Sequence, residues 1–158
     1  MTDISNKINK IGIAADHGGF ELKEYLIKML QEAEYDVIDF GNKELMPTDD
    51  YPDYVVPLAH AISNGTIVRG IAICGSGVGA CIAANKITGV RACLVHEKFS
   101  AHQGVEDDAM NMICLGGRVV DHSLALKLTT IFLAANYINV ERHNRRLAKI
   151  TELENIQK

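Results

Sequence analysis

Five short apolar runs, Ile11 to Ala15, Val37 to Phe40, Gly70 to Ile73, Ala92 to Val95 and Met112 to Leu115, constrain the fold of this chain more than any other feature. Continuous runs of this kind suit strands buried on both faces, as in a parallel sheet. The segments between them are long enough for crossover helices. One, from Gly19 to Glu32, carries Leu22, Leu26, Met29 and Leu30 at i, i+4, i+7 and i+8, which is one face of an amphipathic helix. A second runs from Asp53 to Ser63. Repeats and low-complexity tracts are absent. The pattern predicts an α/β fold: a single doubly wound, Rossmann-like or flavodoxin-like domain whose five-stranded parallel sheet has the order 2-1-3-4-5 and right-handed crossovers. Two more helices, Ser123 to Asn136 and Glu141 to Ile156, close the chain, one more than the sheet requires. The surplus C-terminal helix, within residues 139–158, is expected to dock on a partner subunit, homodimers being the commonest oligomers.

Size and charge narrow the function. At 158 residues, 47% hydrophobic, the chain fits one domain over residues 1–158 and can bury a real core. A net charge of −4 argues against nucleic-acid binding by bulk phosphate neutralisation. No apolar run approaches the roughly 20 residues that span a bilayer, and the polar start Met1-Thr2-Asp3-Ile4-Ser5 does not read as a signal peptide. A cytoplasmic protein without membrane or nucleic-acid partners is expected. Cys74, Cys81, Cys93 and Cys114 form no C-x-x-C pair, so neither disulfides nor a metal is expected.

Ligands of doubly wound sheets bind beyond the strand C-termini where the strand order reverses, between strands 1 and 3. Strand 1 ends in Asp16-His17-Gly18-Gly19 and strand 3 in Cys74-Gly75-Ser76-Gly77-Val78-Gly79, so two polar glycine-containing loops face each other there. The segment after Gly79 is helix-permissive. A helix N-terminus against the glycine turn favours negative charge and an ionised Cys74 thiol. Cys81, Cys93 and Cys114 sit inside periodic apolar elements and are expected to be inert. The glycine spacing completes neither a P-loop nor a dinucleotide fingerprint, although Glu97 follows Gly77 by 20 residues and keeps a nucleotide-binding module open as a rival.

Arg142 and Arg146 share one face near the start of the last helix, where cations oppose the helix dipole unless an anion joins them. His17 also stands at a helix start. A phosphate clamp combined with a thiolate beside an anion-stabilising turn suits proton abstraction next to a carbonyl in a phosphorylated small molecule, which describes an aldose-ketose isomerase. Cys74 would take the proton and the Ser76 hydroxyl would relay protons between the two oxygens. No cofactor is needed.

These residues resemble those of the type B ribose-5-phosphate isomerases, the family that includes the galactose-6-phosphate isomerase subunits. The likeness rests on Ala15-Asp16-His17-Gly18-Gly19, Asp50-Tyr51-Pro52-Asp53-Tyr54, Cys74 to Gly79 with Ala83-Ala84-Asn85-Lys86, Leu115-Gly116-Gly117-Arg118-Val119-Val120 and Arg142-His143-Asn144-Arg145-Arg146. The resemblance implies isomerisation of ribose 5-phosphate in the pentose phosphate pathway and a homodimer with shared sites, a tetramer being the alternative assembly. It sets Cys74 as base with Ser76 beside it. Asp16, Tyr51, Asp108 and the turn residues Gly75, Gly77, Val78 and Gly79 line the substrate, and His17, Arg142 and Arg146 hold phosphate. The likeness also moves the phosphate away from the glycine turn, which faces the reacting carbons instead. One departure stands out: where many members carry a histidine that opens the sugar ring, this chain has Asp107. His102 and Asp107 are the two candidates for ring opening. A substrate that needs none, such as a tetrose 4-phosphate, is an alternative to the pentose, as is a hexose 6-phosphate; a non-catalytic relative is a further one.

Overall fold

A computed structural model describes residues 10–156. Along the chain lie β1 (Lys10–Ala15), α1 (Phe20–Glu32), β2 (Asp36–Asp39), α2 (Pro52–Ser63), β3 (Arg69–Cys74), α3 (Val78–Ala84), β4 (Ala92–Leu94), α4 (Lys98–Asp108), β5 (Met112–Gly116), α5 (His122–Ala134) and α6 (Glu141–Ile156). A 3-10 turn, His17–Gly19, joins β1 to α1. The strands are parallel throughout and lie in the order β2-β1-β3-β5-β4. The doubly wound α/β fold is as expected, with one correction: the last two strands exchange places relative to 2-1-3-4-5. Their sequences explain it. β5 is buried at every position, whereas β4 is three residues long and exposes Cys93. A strand flanked on both sides must be apolar throughout, so β5 moves inward and β4 closes the edge. The reversal between β1 and β3 stands.

Alternation along each strand sorts side chains to two different cores. Ile11, Ile13, Ile71, Ile73, Ile113 and Leu115 face α1, α4 and α5, meeting Leu22, Leu26, Leu30, Val105, Leu128 and Phe132. Ala14, Ala72, Cys74, Met112 and Cys114 face α2 and α3, meeting Val55, Leu58, Ala80 and Ala84. The smaller side chains on this second face let α3 lie close to the sheet, directly after the glycine turn. The periodic face of α1 buries Leu22, Leu26 and Leu30 but also Lys23, whose Nζ meets Asp39 Oδ2 at 2.6 Å and Glu24 Oε1 at 2.7 Å.

Side chains set several helix starts. Asp121 accepts from the Leu124 N–H at the head of α5, Glu97 accepts from Phe99 and Ser100 at the head of α4, and Pro52 opens α2. The last helix, α6, packs on α4 and leaves Ile150, Leu153 and Ile156 exposed. Among the described residues no helix is long and apolar enough to cross a membrane.

Candidate active site

Three segments meet at the C-terminal end of the sheet because glycines let them approach closely. A Cβ on Gly18 would lie 2.7 Å from the Gly75 amide nitrogen, and one on Gly79 would lie 2.8 Å from Tyr51 Cε1. Between these loops opens a cavity of about 410 Å³, lined by Asp16, Tyr51, Cys74, Gly75, Ser76 and Gly79 together with Arg118 and Val119. The strand reversal therefore gathers Asp16 from β1, Cys74 from β3 and Arg118 after β5. Cys74 is 4% exposed, at the buried floor.

The turn after Cys74 is shaped around its sulfur. Gly77 has φ +81° and caps α3, a left-handed conformation that a glycine adopts freely. In that conformation its N–H donates to Cys74 Sγ at 3.2 Å, while the Val78 N–H donates to Ser76 Oγ at 3.3 Å. The Ser76 side chain stands at the exposed rim, as does Val78. Arg118, absent from the site residues picked out in the sequence, lies over the turn: its Nη1 would be 3.2 Å from a Cβ on Gly75. The same arginine lines an adjoining cavity of about 230 Å³ with His17, Gly18, Glu21 and His122. An arginine that spans both cavities and has no ion-pair partner among the described residues is a strong anion ligand. The run Gly116-Gly117-Arg118 was its only sequence signal.

His17 is anchored by a residue that sequence reasoning also missed. Asp49 Oδ1 accepts from the His17 main-chain N–H at 2.9 Å and lies 2.8 Å from His17 Nδ1. Burial pushes the Asp49 carboxyl up, but the hydrogen bonds from His17 outweigh it and hold the group below its ordinary 3.8. Asp16 goes the other way: burial raises its carboxyl, against the Gly18 N–H that it accepts at 2.9 Å. Asp16, His17 and Asp49 offer donor atoms within 4.8 Å of one another, yet the His17 and Asp49 atoms are already engaged with each other.

The remaining predicted residues lie elsewhere in the chain. His102 stands exposed on α4 with its Nδ1 3.3 Å from Glu106 Oε2. Asp107 Oδ1 lies 3.3 Å from Nε2 of the buried His143, and its Oδ2 accepts from Gln103 at 2.8 Å. Arg142 Nε donates to His143 Nε2 at 3.2 Å. Asp108 lines a groove beside α6, and Arg142 and Arg146 are exposed on that helix. None of these five side chains lines the Cys74 cavity.

Two further expectations change. Cys81 is only partly buried, so it is not a core cysteine, and a hydrogen bond from Cys114 lowers its thiol to about 6. Glu97 does not present a free carboxylate to a nucleotide ribose, because Oε2 takes the Phe99 N–H at 2.6 Å and Oε1 the Ser100 N–H at 2.9 Å.

The family model of the ribose/galactose isomerases matches residues 11–150. Ribose-5-phosphate isomerase B of Escherichia coli is 39% identical over 147 residues, covering 93% of this chain and 97% of that one. A D-erythrulose-4-phosphate isomerase of Pectobacterium atrosepticum is 36% identical over 127 residues, covering 80% of this chain and 84% of the other. The crystal structure of ribose-5-phosphate isomerase B from Mycoplasma genitalium with bound ribulose-5-phosphate is similar with a TM-score of 0.88 at 38% identity, covering 92% of this chain and 96% of that one.

Proposed function

Because the chain belongs to the ribose/galactose isomerase family, and is thereby an aldose-ketose isomerase of sugar phosphates, we propose that it interconverts ribose 5-phosphate and ribulose 5-phosphate with Cys74 as the base. The observation that carries this reading is the sulfur itself, at the floor of a polar cavity with an amide donor 3.2 Å away. The thiolate takes the proton from C2 of the open-chain aldose, and the C–H electron pair forms the C1–C2 double bond as the carbonyl pair moves onto O1. The Arg118 guanidinium over the turn, with turn amides other than those donating to Cys74 and Ser76, stabilises that charge in this reading. Ser76 passes the O2 proton to O1, and the thiol then returns its proton to C1, leaving the ketose.

The phosphate end lies toward His17 and Arg118. Arg142 and Arg146 lie outside the protomer's own cavity, so a second copy, docked through residues 139–158, brings them to it; residues 157 and 158 lie outside the described ones.

A second substrate has its own support. Neither ring-opening candidate is a free acid, since Asp107 is engaged by His143 and Gln103, and His102 by Glu106. A tetrose 4-phosphate needs no ring opening, because its ring-closing hydroxyl carries the phosphate, and one relative is named for a four-carbon substrate. Turnover of ribose 5-phosphate, erythrose 4-phosphate and a hexose 6-phosphate by the purified protein decides between them. A kcat/KM for the pentose above that for the tetrose supports the first reading, and the reverse order the second. The Cys74→Ala protein should lose at least about 10³-fold in kcat; parental turnover by that variant would end the proposed mechanism.

A further inference from the structure

We propose that Asp49 is a positioning residue for the isomerase: it fixes the tautomer and direction of His17, so that Nε2 is the nitrogen that meets the sugar phosphate. The inference rests on His17 being a phosphate-side ligand, as above. Its observations are separate from the catalytic turn.

Asp49 belongs to the connection between β2 and α2, remote from His17 by 32 positions, and makes two contacts to that one residue. Its Oδ1 takes the main-chain N–H at 2.9 Å, which pins the loop, and faces ring Nδ1 at 2.8 Å, which pins the side chain. The Asp49 side chain is 4% exposed against 31% for His17, so the clamp lies on the inner side and the free edge of the imidazole points outward. An ionised carboxylate has no proton to give. The proton of the 2.8 Å contact therefore sits on Nδ1, and Nε2 is left for the ligand. As a lone pair Nε2 accepts from a hydroxyl of the sugar phosphate; as N–H of the imidazolium it donates to a phosphate oxygen. The same arrangement, a carboxylate orienting an imidazole from behind, governs histidines in metal sites and catalytic triads.

Among the described residues Asp49 is the side chain that hydrogen-bonds the His17 ring. Asp16 Oδ1 is taken by the Gly18 N–H, and Glu21, Arg118 and His122 share the outer cavity with His17 without a hydrogen bond to its ring. Among the described residues Asp49 Oδ2 has no hydrogen-bond partner of good geometry although it is buried, with the Tyr54 hydroxyl among its polar neighbours. A buried carboxylate with one oxygen unpartnered is costly to keep. Its retention here is accounted for by what Oδ1 does for His17.

The test reads His17 directly and then the kinetics. Long-range proton-nitrogen NMR spectra, recorded where the His17 ring carries a single proton, should show that proton on Nδ1 in the parent and not in Asp49→Ala. Asp49→Asn, which keeps an acceptor oxygen, should preserve the parental tautomer. Kinetically, Asp49→Ala should raise KM for the preferred sugar phosphate roughly ten-fold or more, with kcat within about three-fold. The loss should vanish in a His17→Ala background, because the effect passes through that ring. If the alanine variant does not fold, Asp49→Leu fills the same space without an acceptor. A parent spectrum with the proton on Nε2 overturns the inference, as does an undiminished Asp49→Ala effect without His17. A parent that turns over no sugar phosphate refutes the proposed function instead, and leaves the NMR result to judge the clamp alone.

Discussion

Replacing Gly77 by alanine isolates the contribution of the turn that holds Cys74. The protein contains its own control. Gly65 and Gly77 have nearly the same backbone, φ +78° and +81°, but a Cβ at Gly65 meets nothing within 4 Å. At Gly77 it would lie 2.6 Å from Leu94 Cδ1 and 2.8 Å and 2.9 Å from the carbonyl carbon and oxygen of Leu115. Leu94 can turn aside; the Leu115 backbone, inside the fully buried β5, cannot. Left-handed strain costs about 1–2 kcal/mol at either site, and forcing a methyl group into a packed core adds about 1–3 kcal/mol. Gly65→Ala should therefore lose about 1–2 kcal/mol and Gly77→Ala about 2–5 kcal/mol, at roughly 2–4 °C of melting temperature per kcal/mol for a chain of this size. The catalytic difference should be larger. Any shift that relieves the clash moves the Gly77 N–H away from Cys74 Sγ, and losing one such donor costs roughly 10²–10³ in kcat. Calorimetry and steady-state isomerase assays on both variants measure these quantities. If Gly77→Ala melts no lower than Gly65→Ala and keeps kcat within two-fold of the parent, the turn does not hold the sulfur as described.

Other perturbations follow from single contacts. With its thiol at about 6, Cys81 should react with iodoacetamide at a nearly constant rate from about pH 7 to 9, whereas the exposed Cys93, which burial raises, should speed up across that range; peptide mapping reads both, and in Cys114→Ala the Cys81 rate should fall at pH 7. Asp39→Ala leaves the buried Lys23 ammonium with Glu24 in place of two carboxylates and should destabilise by about 1.5–3 kcal/mol in urea, while Lys23→Met with Asp39→Asn should be close to neutral. Arg118→Ala should raise KM for the sugar phosphate roughly 10–100-fold with the fold intact by circular dichroism.

Much of this was legible in the chain because periodicity reports burial. The runs ending at Ala15 and Cys74 gave the reversal point and both loops that form the cavity. The place of β4 was not legible, since a short apolar run says nothing of its neighbours; comparing the exposed Cys93 with the uninterrupted Met112 to Gly116 is the cue that decides it. Lys23 defeats the pattern, a charged residue buried by partners sixteen and one positions away. Asp49 was hidden among six exposed residues of the preceding connection, and its role exists only once that connection folds back on His17. Arg118 was inside a recognised motif, but no spacing rule ties it to Cys74.

The exchanged strands bear on how the chain comes off the ribosome. Among the described residues β4 bonds to β5 alone, and β5 follows it in the sequence. Until about residue 116 has emerged, the nascent polypeptide can assemble the β2-β1-β3 ribbon but has nothing onto which its fourth strand can add. The later arrival must insert between two earlier segments, which brings the thiol-bearing turn and Arg118 together in one of the last steps of vectorial folding.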